Sequence, residues 1–547
     1  MNDFPQKIIN KDGLLFFENG DEVQLWGHNF QSNLYWEYGF RMKHLGIPLD
    51  SKTLKEMCDN GMESMKAMKS DLIRCHLTPS DFTDAEGNLS DNLWLDLFGY
   101  LISKARENNI YVAVSFLNHM DFTLIEDSFI AQYSREEWIF DPIAVKKSQN
   151  YIQQLINTVN PYTGIPYKED LSIATWEIIN EPEYMNWDKM EGNPVQKSLF
   201  ENWAIENRAP YNDCYYENYQ YEVVLDYLNG MAALLKAQGA TQPVIWNCNW
   251  PRMIVGKERI FDAISDSNVD AISFCVYPGQ DEVAVPFVEN PEDMSKKNFL
   301  PFLKKCFEDY YYLGWIKSKR FEKKAKVVYE FETMYAAENA HLYPAMATLF
   351  RSLGVQMATV WTHTFDCYAE YQGGSHILNL KTTPQKAVAY ILANFAFKAT
   401  ERFSSFDFSA SDLNTFEGGC LSIEKNVCAG YYEGLYLNSG NTEEIDELHL
   451  GFIHEIIGFG SSQYVQYNGT GIYQIVISDN QLKVLIYPDS SFLKNPWEWN
   501  KSKDPVVLLD SDSSHFMEIS LPGFESIEFQ AKPGNHSLTL NKKLAAA

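Results

Sequence analysis

Long apolar runs are missing from this 547-residue chain, as are closely paired cysteines and any excess of basic side chains. No stretch reaches the roughly 20 apolar residues that a membrane-spanning helix needs, which argues against a membrane partner. The nine cysteines (Cys58, Cys75, Cys214, Cys248, Cys275, Cys306, Cys367, Cys420, Cys428) are odd in number and contain no Cys-x-x-Cys pair. Several sit inside apolar stretches such as Ile272-Ser273-Phe274-Cys275-Val276, so buried free thiols are expected rather than a disulfide framework or a zinc site. Basic residues number 45 against 73 acidic ones, a net charge of −28. A field of that sign repels phosphate backbones and anionic lipid, which argues against nucleic acid as a partner. It suits a neutral ligand such as a sugar, and it equally serves to keep a soluble surface apart from its copies. There is no His-Glu-x-x-His, no Gly-x-Ser-x-Gly elbow and no P-loop, which lowers the odds of zinc protease, serine hydrolase and nucleotide chemistry.

What is present is ordinary globular composition, 45% hydrophobic and 22% charged, in a chain long enough for two or three domains. From about residue 20 to 397, short apolar β-branched runs alternate with longer segments of helical period. The predicted strands are Val23–Gly27, Asp71–Cys75, Tyr111–Phe116, Ser172–Ile179, Val244–Asn247, Ala271–Val276, Lys326–Tyr329 and Val355–Trp361. Near-continuous apolar strands are those of a parallel sheet covered by helices, and eight such alternations close most naturally as a (β/α)8 TIM barrel. An open doubly wound sheet is the alternative, but no Gly-rich dinucleotide fingerprint follows any strand. Two connections are long, 183–218 and 278–301. The first carries Trp187, Trp203, Tyr211, Tyr215 and Tyr216, which either stack on sugar rings or pack the loop onto the barrel. After about residue 400 the pattern becomes alternating, in Tyr431–Leu437, Tyr473–Val476, Gln481–Tyr487, Phe516–Ser520 and Ser526–Ala531, as in an antiparallel β-sandwich. The expected division is a catalytic barrel over 1–397 and an accessory β-sandwich over 398–547, docked without a low-complexity linker.

Two polar strand ends carry chemistry. Trp176-Glu177-Ile178-Ile179-Asn180-Glu181-Pro182 closes the fourth barrel strand where such barrels present their active sites. A carboxylic acid in a partly apolar, tryptophan-lined pocket has a raised pKa and can protonate a leaving group. Asn180 beside it is placed to hydrogen-bond a sugar hydroxyl. The seventh strand ends Lys326-Val327-Val328-Tyr329-Glu330-Phe331-Glu332 and supplies a second carboxylate. Glu330 placed opposite Glu181 at about 5 Å would act as a nucleophile, whereas a wider gap would mean an inverting mechanism with a water between them. If the strand continues unbroken, the two-residue period turns Glu332 to the same face and makes it a rival.

On these residues the chain resembles glycoside hydrolase clan A, whose best-known member is family 5, the cellulases and mannanases. Asn180-Glu181-Pro182 is similar to the clan's acid/base motif, and Tyr329-Glu330-Phe331 resembles Gly-Glu-Phe around its nucleophile, with Tyr in place of Gly. The resemblance implies further roles. Arg74 would orient the nucleophile and His119 would contact the sugar, with Asn118 able to serve instead. Tyr277 would hydrogen-bond the nucleophile, and Trp361 would floor the sugar site. It covers roughly residues 20–395.

What the resemblance implies is a retaining hydrolase of β-linked glycosides working by double displacement, with an oligo- or polysaccharide substrate, no cofactor and no metal. The opening Gly13–Gly20 and Trp26-Gly27-His28-Asn29-Phe30 resemble mannanase-type members and tilt the substrate toward β-mannoside or β-mannan. β-Galactoside and β-glucan remain open, as does a carbohydrate-binding barrel that no longer turns over. His363 and His376 near Asp366 match no recognised ligand spacing and are read as sugar contacts or structure. The C-terminal region is read as structural or oligomer-forming, so a homo-oligomer is allowed. Met1-Asn2-Asp3-Phe4 has neither the basic nor the apolar part of a signal peptide. The expected location is cytoplasmic, or periplasmic or secreted if a signal has been trimmed.

Overall fold

The central strands are buried on both faces: every residue of Tyr111–Leu117 and of Ile173–Ile179 is inaccessible to solvent. The computed structural model describes residues 4–30, 42–118, 127–278, 298–310, 312–333, 338–374, 376–408, 411–445, 451–478 and 480–543. An antiparallel hairpin, β1 (Ile8–Lys11) and β2 (Leu14–Phe17), precedes the barrel. Eight parallel strands then close on themselves: β3 (Leu25–Asn29), β4 (Leu72–His76), β5 (Tyr111–Leu117), β6 (Ile173–Ile179), β7 (Val244–Asn247), β8 (Ala271–Val276), β9 (Ala325–Phe331) and β10 (Val355–Val360). They are followed in turn by α1 (Ser51–Ala67), α2 (Leu93–Glu107), α3 (Pro142–Asn157), α4 (Asp213–Ala237), α5 (Glu258–Asp266), α6 (Leu300–Glu308), α7 (Leu342–Ser352) and α8 (Pro384–Ala399).

Local chemistry starts these helices where the chain needs them. Asp50, Asn92, Asp141 and Asn212 each accept a backbone N–H in the first turn of α1, α2, α3 and α4, satisfying donors that a helix start leaves unpaired. The base of the barrel is closed by the hairpin. Ile8 and Leu15 pack with Leu25, Leu72, Ala113, Ala174, Ala271, Ala325 and Met357. Gln356 on β10 both accepts from the Leu15 N–H and donates to the Leu15 carbonyl, each at 2.7 Å. With the base plugged by apolar groups, the opposite, C-terminal end is left to carry the polar ones.

The C-terminal region is an eight-stranded, mostly antiparallel sheet and a three-stranded sheet packed face to face. The larger runs in the order β11 (Leu413–Phe416), β12 (Gly419–Ser422), β13 (Val427–Tyr432), β14 (Leu435–Ser439), β15 (Glu455–Phe459), β17 (Tyr473–Ser478), β18 (Gln481–Ile486), β23 (Gly534–Thr539). Its one parallel pair is β14 with β15. The smaller comprises β16 (Val465–Tyr467), β21 (His515–Ile519) and β22 (Ile527–Ala531), and a separate hairpin pairs β19 (Asp489–Phe492) with β20 (Val507–Asp510). Between the two sheets lie Ile456, Ile475, Val484, Val465, Met517 and Ile519. The other face of the large sheet packs on α8, so that Leu421, Cys428, Leu437 and Ile457 belong to the same apolar cluster as the barrel's outer layer.

Some expectations from the sequence change here. The predicted strand Tyr431–Leu437 is the end of β13 and the start of β14, separated by a tight turn at Glu433 (φ 48°) and Gly434 (φ 92°). The long connection 183–218 contains two short helices, Trp187–Gly192 and Pro194–Glu206. Its aromatics pack on one another: Trp187 lies edge-on to Phe200, Tyr211 and Tyr216, and Trp203 stacks on Phe200. These contacts secure the loop, with Tyr216 buried and Tyr211 and Tyr215 left exposed at its surface. Most of 278–301 lies outside the described residues. The eight cysteines whose side chains are described are thiols outside any disulfide, six of them buried.

Because Leu437 is shared between sheet and α8, Leu437→Ala should cost about 2–5 kcal/mol. Barrel and sheet should still melt in one calorimetric transition. Two separated transitions in the parent protein would contradict the shared core.

Candidate active site

Every barrel strand contributes a polar or aromatic side chain at its C-terminal end. They are Asn29 (β3), Arg74 and His76 (β4), Asn118 (after β5), Asn180 and Glu181 (after β6), Trp250 (after β7), Tyr277 (after β8), Tyr329 and Glu330 (β9), and Trp361 (after β10). All the described residues expected from the sequence meet here. His119 lies outside the described residues.

Arg74 is the hub. One nitrogen of its fully buried guanidinium donates to Glu177 at 2.5 Å and to Asn180 Oδ1 at 2.8 Å; the other donates to Glu330 at 3.2 Å and to Asn29 Oδ1 at 2.9 Å. Its plane lies 4.9 Å from the centroid of the Tyr329 ring. Asn180 is further fixed through Nδ2, which donates to Asn118 Oδ1 at 3.1 Å. Planar, bidentate recognition of this kind is what arginine offers and lysine does not.

The two predicted carboxylates are held by different partners. Glu330 accepts from Arg74 and, at 2.7 Å, from the Tyr277 hydroxyl. Glu181 accepts at one oxygen from the Trp250 indole N–H at 2.7 Å and from the Tyr329 hydroxyl at 2.9 Å. Trp250 and Tyr277 are themselves stacked, with centroids 5.3 Å apart. Each of two stacked rings therefore holds one carboxylate, which brings the two acids together at the barrel mouth. Both are nearly buried, Glu181 8% and Glu330 6% exposed. Burial raises both above the usual carboxylate range, and the charge of Glu181 adds to the rise at Glu330. The backbone of Glu181 sits at φ 49°, a left-handed conformation that costs a non-glycine residue roughly 1–3 kcal/mol and concentrates at functional sites. Arg135 steadies it by donating to the Glu181 carbonyl while pairing with Glu183 at 2.7 Å.

Glu177 and Glu330 bond Arg74 directly, whereas the neutral Tyr329 and Trp250 donate to Glu181. Arg74 and Tyr277 favour the Glu330 anion, but burial and the charge of Glu181 outweigh them and push its pKa up to about 8. Two interacting carboxylates titrate as a pair that holds one proton between them, and the direct ion pair favours the anion on the Glu330 side.

A bulge in β9 makes this arrangement possible and removes the rival acid. Phe274 pairs with Val328 but Cys275 pairs with Glu330, and on the other side Ala358 pairs with Val328 while Val360 pairs with Phe331. Tyr329 is the extra residue. Consecutive side chains Tyr329 and Glu330 thus both reach the mouth, which a regular strand would forbid. Glu332, expected on the same face as Glu330, lies beyond the end of the strand. It is completely buried between Tyr343 Oη (2.9 Å) on α7 and Lys386 Nζ (2.8 Å) on α8, a structural ion pair away from the mouth.

Trp361 is nearly buried, packs with Cys275, Tyr277 and Tyr329, and meets His76 edge-on at 5.4 Å. Sequence reasoning missed Asn29, His76, Trp250 and the partnership of Glu177 with Arg74. The last left a signal, since an acid and a base each interrupt an otherwise apolar strand and buried charges must be paired. His363 is buried and His376 partly so, and their pKa values are pushed down to about 4 and about 3, chiefly by desolvation. Among the described residues no group of three His, Cys, Asp or Glu side chains is arranged to hold a metal, and no helix is long and apolar enough to cross a membrane.

A closed (β/α)8 barrel with a buried pair of carboxylates at the ends of its fourth and seventh strands defines the class of architecture. Within it, the chain is similar to plant proteins described as mannan endo-1,4-beta-mannosidases. It is 24% identical over 211 residues to number 4 of Solanum lycopersicum (36% of this chain, 48% of that one). It is 22% identical over 227 residues to number 1 of Arabidopsis thaliana (40% and 50%), and 27% identical over 92 residues to number 5 of the same plant (15% and 21%). The matches span between about a fifth and a half of those relatives. Solved structures similar to it include an endo-beta-1,4-mannanase from Thermotoga petrophila, at 14% identity and a TM-score of 0.48 over 94% of this chain and 98% of that one. Another is an endo-1,4-beta-mannanase from Rhizomucor miehei, at 14% and 0.46 over 71% and 98%. No family model matches the chain.

Arg74→Met leaves Glu177 and Glu330 without their cation and should cost about 3–5 kcal/mol at neutral pH. The variant's carboxylates then have raised folded-state pKa values, so the penalty is largest at high pH and shrinks as protons bind. Melting both proteins at pH 5 and pH 8 tests this; a pH-independent difference would count against the assignment of charges.

Proposed function

We propose that the protein is a retaining glycoside hydrolase acting on β-mannosides or β-mannan. The observation that carries the reading is the pair of nearly buried glutamates, one held by neutral donors and the other by a guanidinium. Glu181, protonated, gives its proton to the glycosidic oxygen as the bond to the anomeric carbon breaks. Glu330, ionised, attacks that carbon and forms a glycosyl ester. Glu181, now a carboxylate, takes a proton from water, whose oxygen attacks the same carbon and releases Glu330. Two inversions leave the sugar with its original configuration. Arg74 and Tyr277 favour the Glu330 anion and aim it; Tyr329 and Trp250 hold Glu181; Asn180 lines the site beside it, and Trp361 offers an apolar surface to the ring. Water is the only co-reactant required. The preference for mannose follows the plant relatives and the mannanase-like opening of the chain, not the carboxylate geometry.

Nitrophenyl β-mannoside, β-galactoside and β-glucoside, assayed beside mannan and β-glucan, test the substrate. Mannosides and mannan should be cleaved fastest, and NMR should show the β-anomer first. Glu181→Gln and Glu330→Gln should each lower kcat by about a hundredfold or more, whereas folded Glu332→Gln should remain active. Wild-type protein that binds mannan yet cleaves none of these substrates would reduce the barrel to a binding module.

Tyr329→Phe removes a donor that favours the Glu181 anion. Its pKa therefore rises, and the alkaline limb of the kcat/KM profile should move up by about one pH unit. A limb that stays in place or moves down would rule out Glu181 as the group titrating there.

A further inference from the structure

The C-terminal region reaches the barrel mouth through the loop between β19 and β20. The barrel loop after β10 receives it: the Gly374 N–H donates to the Pro496 carbonyl at 2.9 Å, and Asn500 Nδ2 donates to the Tyr371 carbonyl at 2.8 Å. The Val506 N–H donates to the Glu370 carbonyl at 2.7 Å. Two glycines make room for this contact. A Cβ on Gly373 would lie 2.3 Å from the Glu498 carbonyl oxygen, and one on Gly374 would lie 3.5–3.6 Å from Cδ2, Cε2 and Cε3 of Trp499. Three nearly equal distances to the shared edge and benzo ring mean that Gly374 sits under the face of the indole.

The loop's two tryptophans are used differently. Trp497 turns inward, donates to Glu338 at 3.1 Å and has Lys386 over its ring at 5.3 Å. Trp499 has one face seated on Gly374 and yet is 52% exposed, so its remaining surface is open. Its position ties it to the active site. Two residues beyond Gly374, the His376 ring lies edge-on to Tyr277 at 5.7 Å, and Tyr277 bonds Glu330. An indole with one face fixed and the other open loses little entropy when a flat apolar surface settles on it, and the C–H face of a pyranose is such a surface.

We propose that Trp499 is a distal sugar-binding platform, delivered by the C-terminal region to the rim of the barrel mouth, for a pyranose ring of the polysaccharide beyond the one held at the scissile bond. This rests on the glycosidase reading and deepens it: the accessory region contributes to chain-length preference. His376, two residues along from the Gly374 on which the indole rests, is kept neutral chiefly by desolvation.

The test compares kcat/KM for nitrophenyl β-mannoside, mannotriose and mannohexaose in the parent protein, Trp499→Ala, Trp499→Phe and Gly373→Ala. In the parent, kcat/KM should climb with chain length. Trp499→Ala should remove about tenfold or more of that climb, Trp499→Phe should restore most of it, and Gly373→Ala, which displaces the loop without touching the indole, should reproduce the loss. A climb preserved in a folded Trp499→Ala variant overturns the platform while leaving the hydrolase standing. A parent protein inactive on every mannoside is instead a failure of the glycosidase reading. In that case the platform is judged by calorimetric titration with mannohexaose, where binding that Trp499→Ala does not weaken overturns it.

Discussion

A single buried guanidinium organises the mouth of this barrel. Arg74 stands between Glu177 and Glu330, and burying three charges so closely is tolerable only if each is paired and hydrogen-bonded. Asn29, His76, Asn180 and the ring of Tyr329 also lie against it. It treats the three acids unequally, bonding Glu177 and Glu330 directly and acting on Glu181 only through its charge.

The rest of the fold serves to hold that cluster still. The hairpin and Gln356 plug the base of the barrel, so the polar layer is confined to one end. The large C-terminal sheet shares its core with α8, the helix whose Lys386 neutralises Glu332. An acid two residues from Glu330 is thereby held by the same helix on which the second region docks.

Much of this was legible in the sequence. Eight apolar runs fixed the strand count because strands buried on both faces cannot afford polar residues except at their ends. For the same reason Asn180, Glu181 and Glu330 stood out, while Arg74 and Tyr277 were reached through the family resemblance. What could not be read was register. A bulge is set by pairing with neighbours on both sides, so nothing within Val327–Glu332 announces that Tyr329 is the extra residue or that Glu332 turns away. The loop aromatics Trp187 and Trp203 and the tryptophans Trp497 and Trp499 illustrate the same limit. Composition marks an aromatic as important, but only tertiary contacts tell whether its faces are covered: Trp187 and Trp203 pack within their loop, Trp497 is engaged by Glu338 and Lys386, and Trp499 keeps an open surface.

The bulge in β9 has a mechanical corollary. Glu330 and Tyr329 are joined by one peptide bond, and Tyr329 grips Glu181 across the cavity. One short piece of backbone therefore sets the position of one acid and of a hydroxyl that grips the other, as two needles share a spindle.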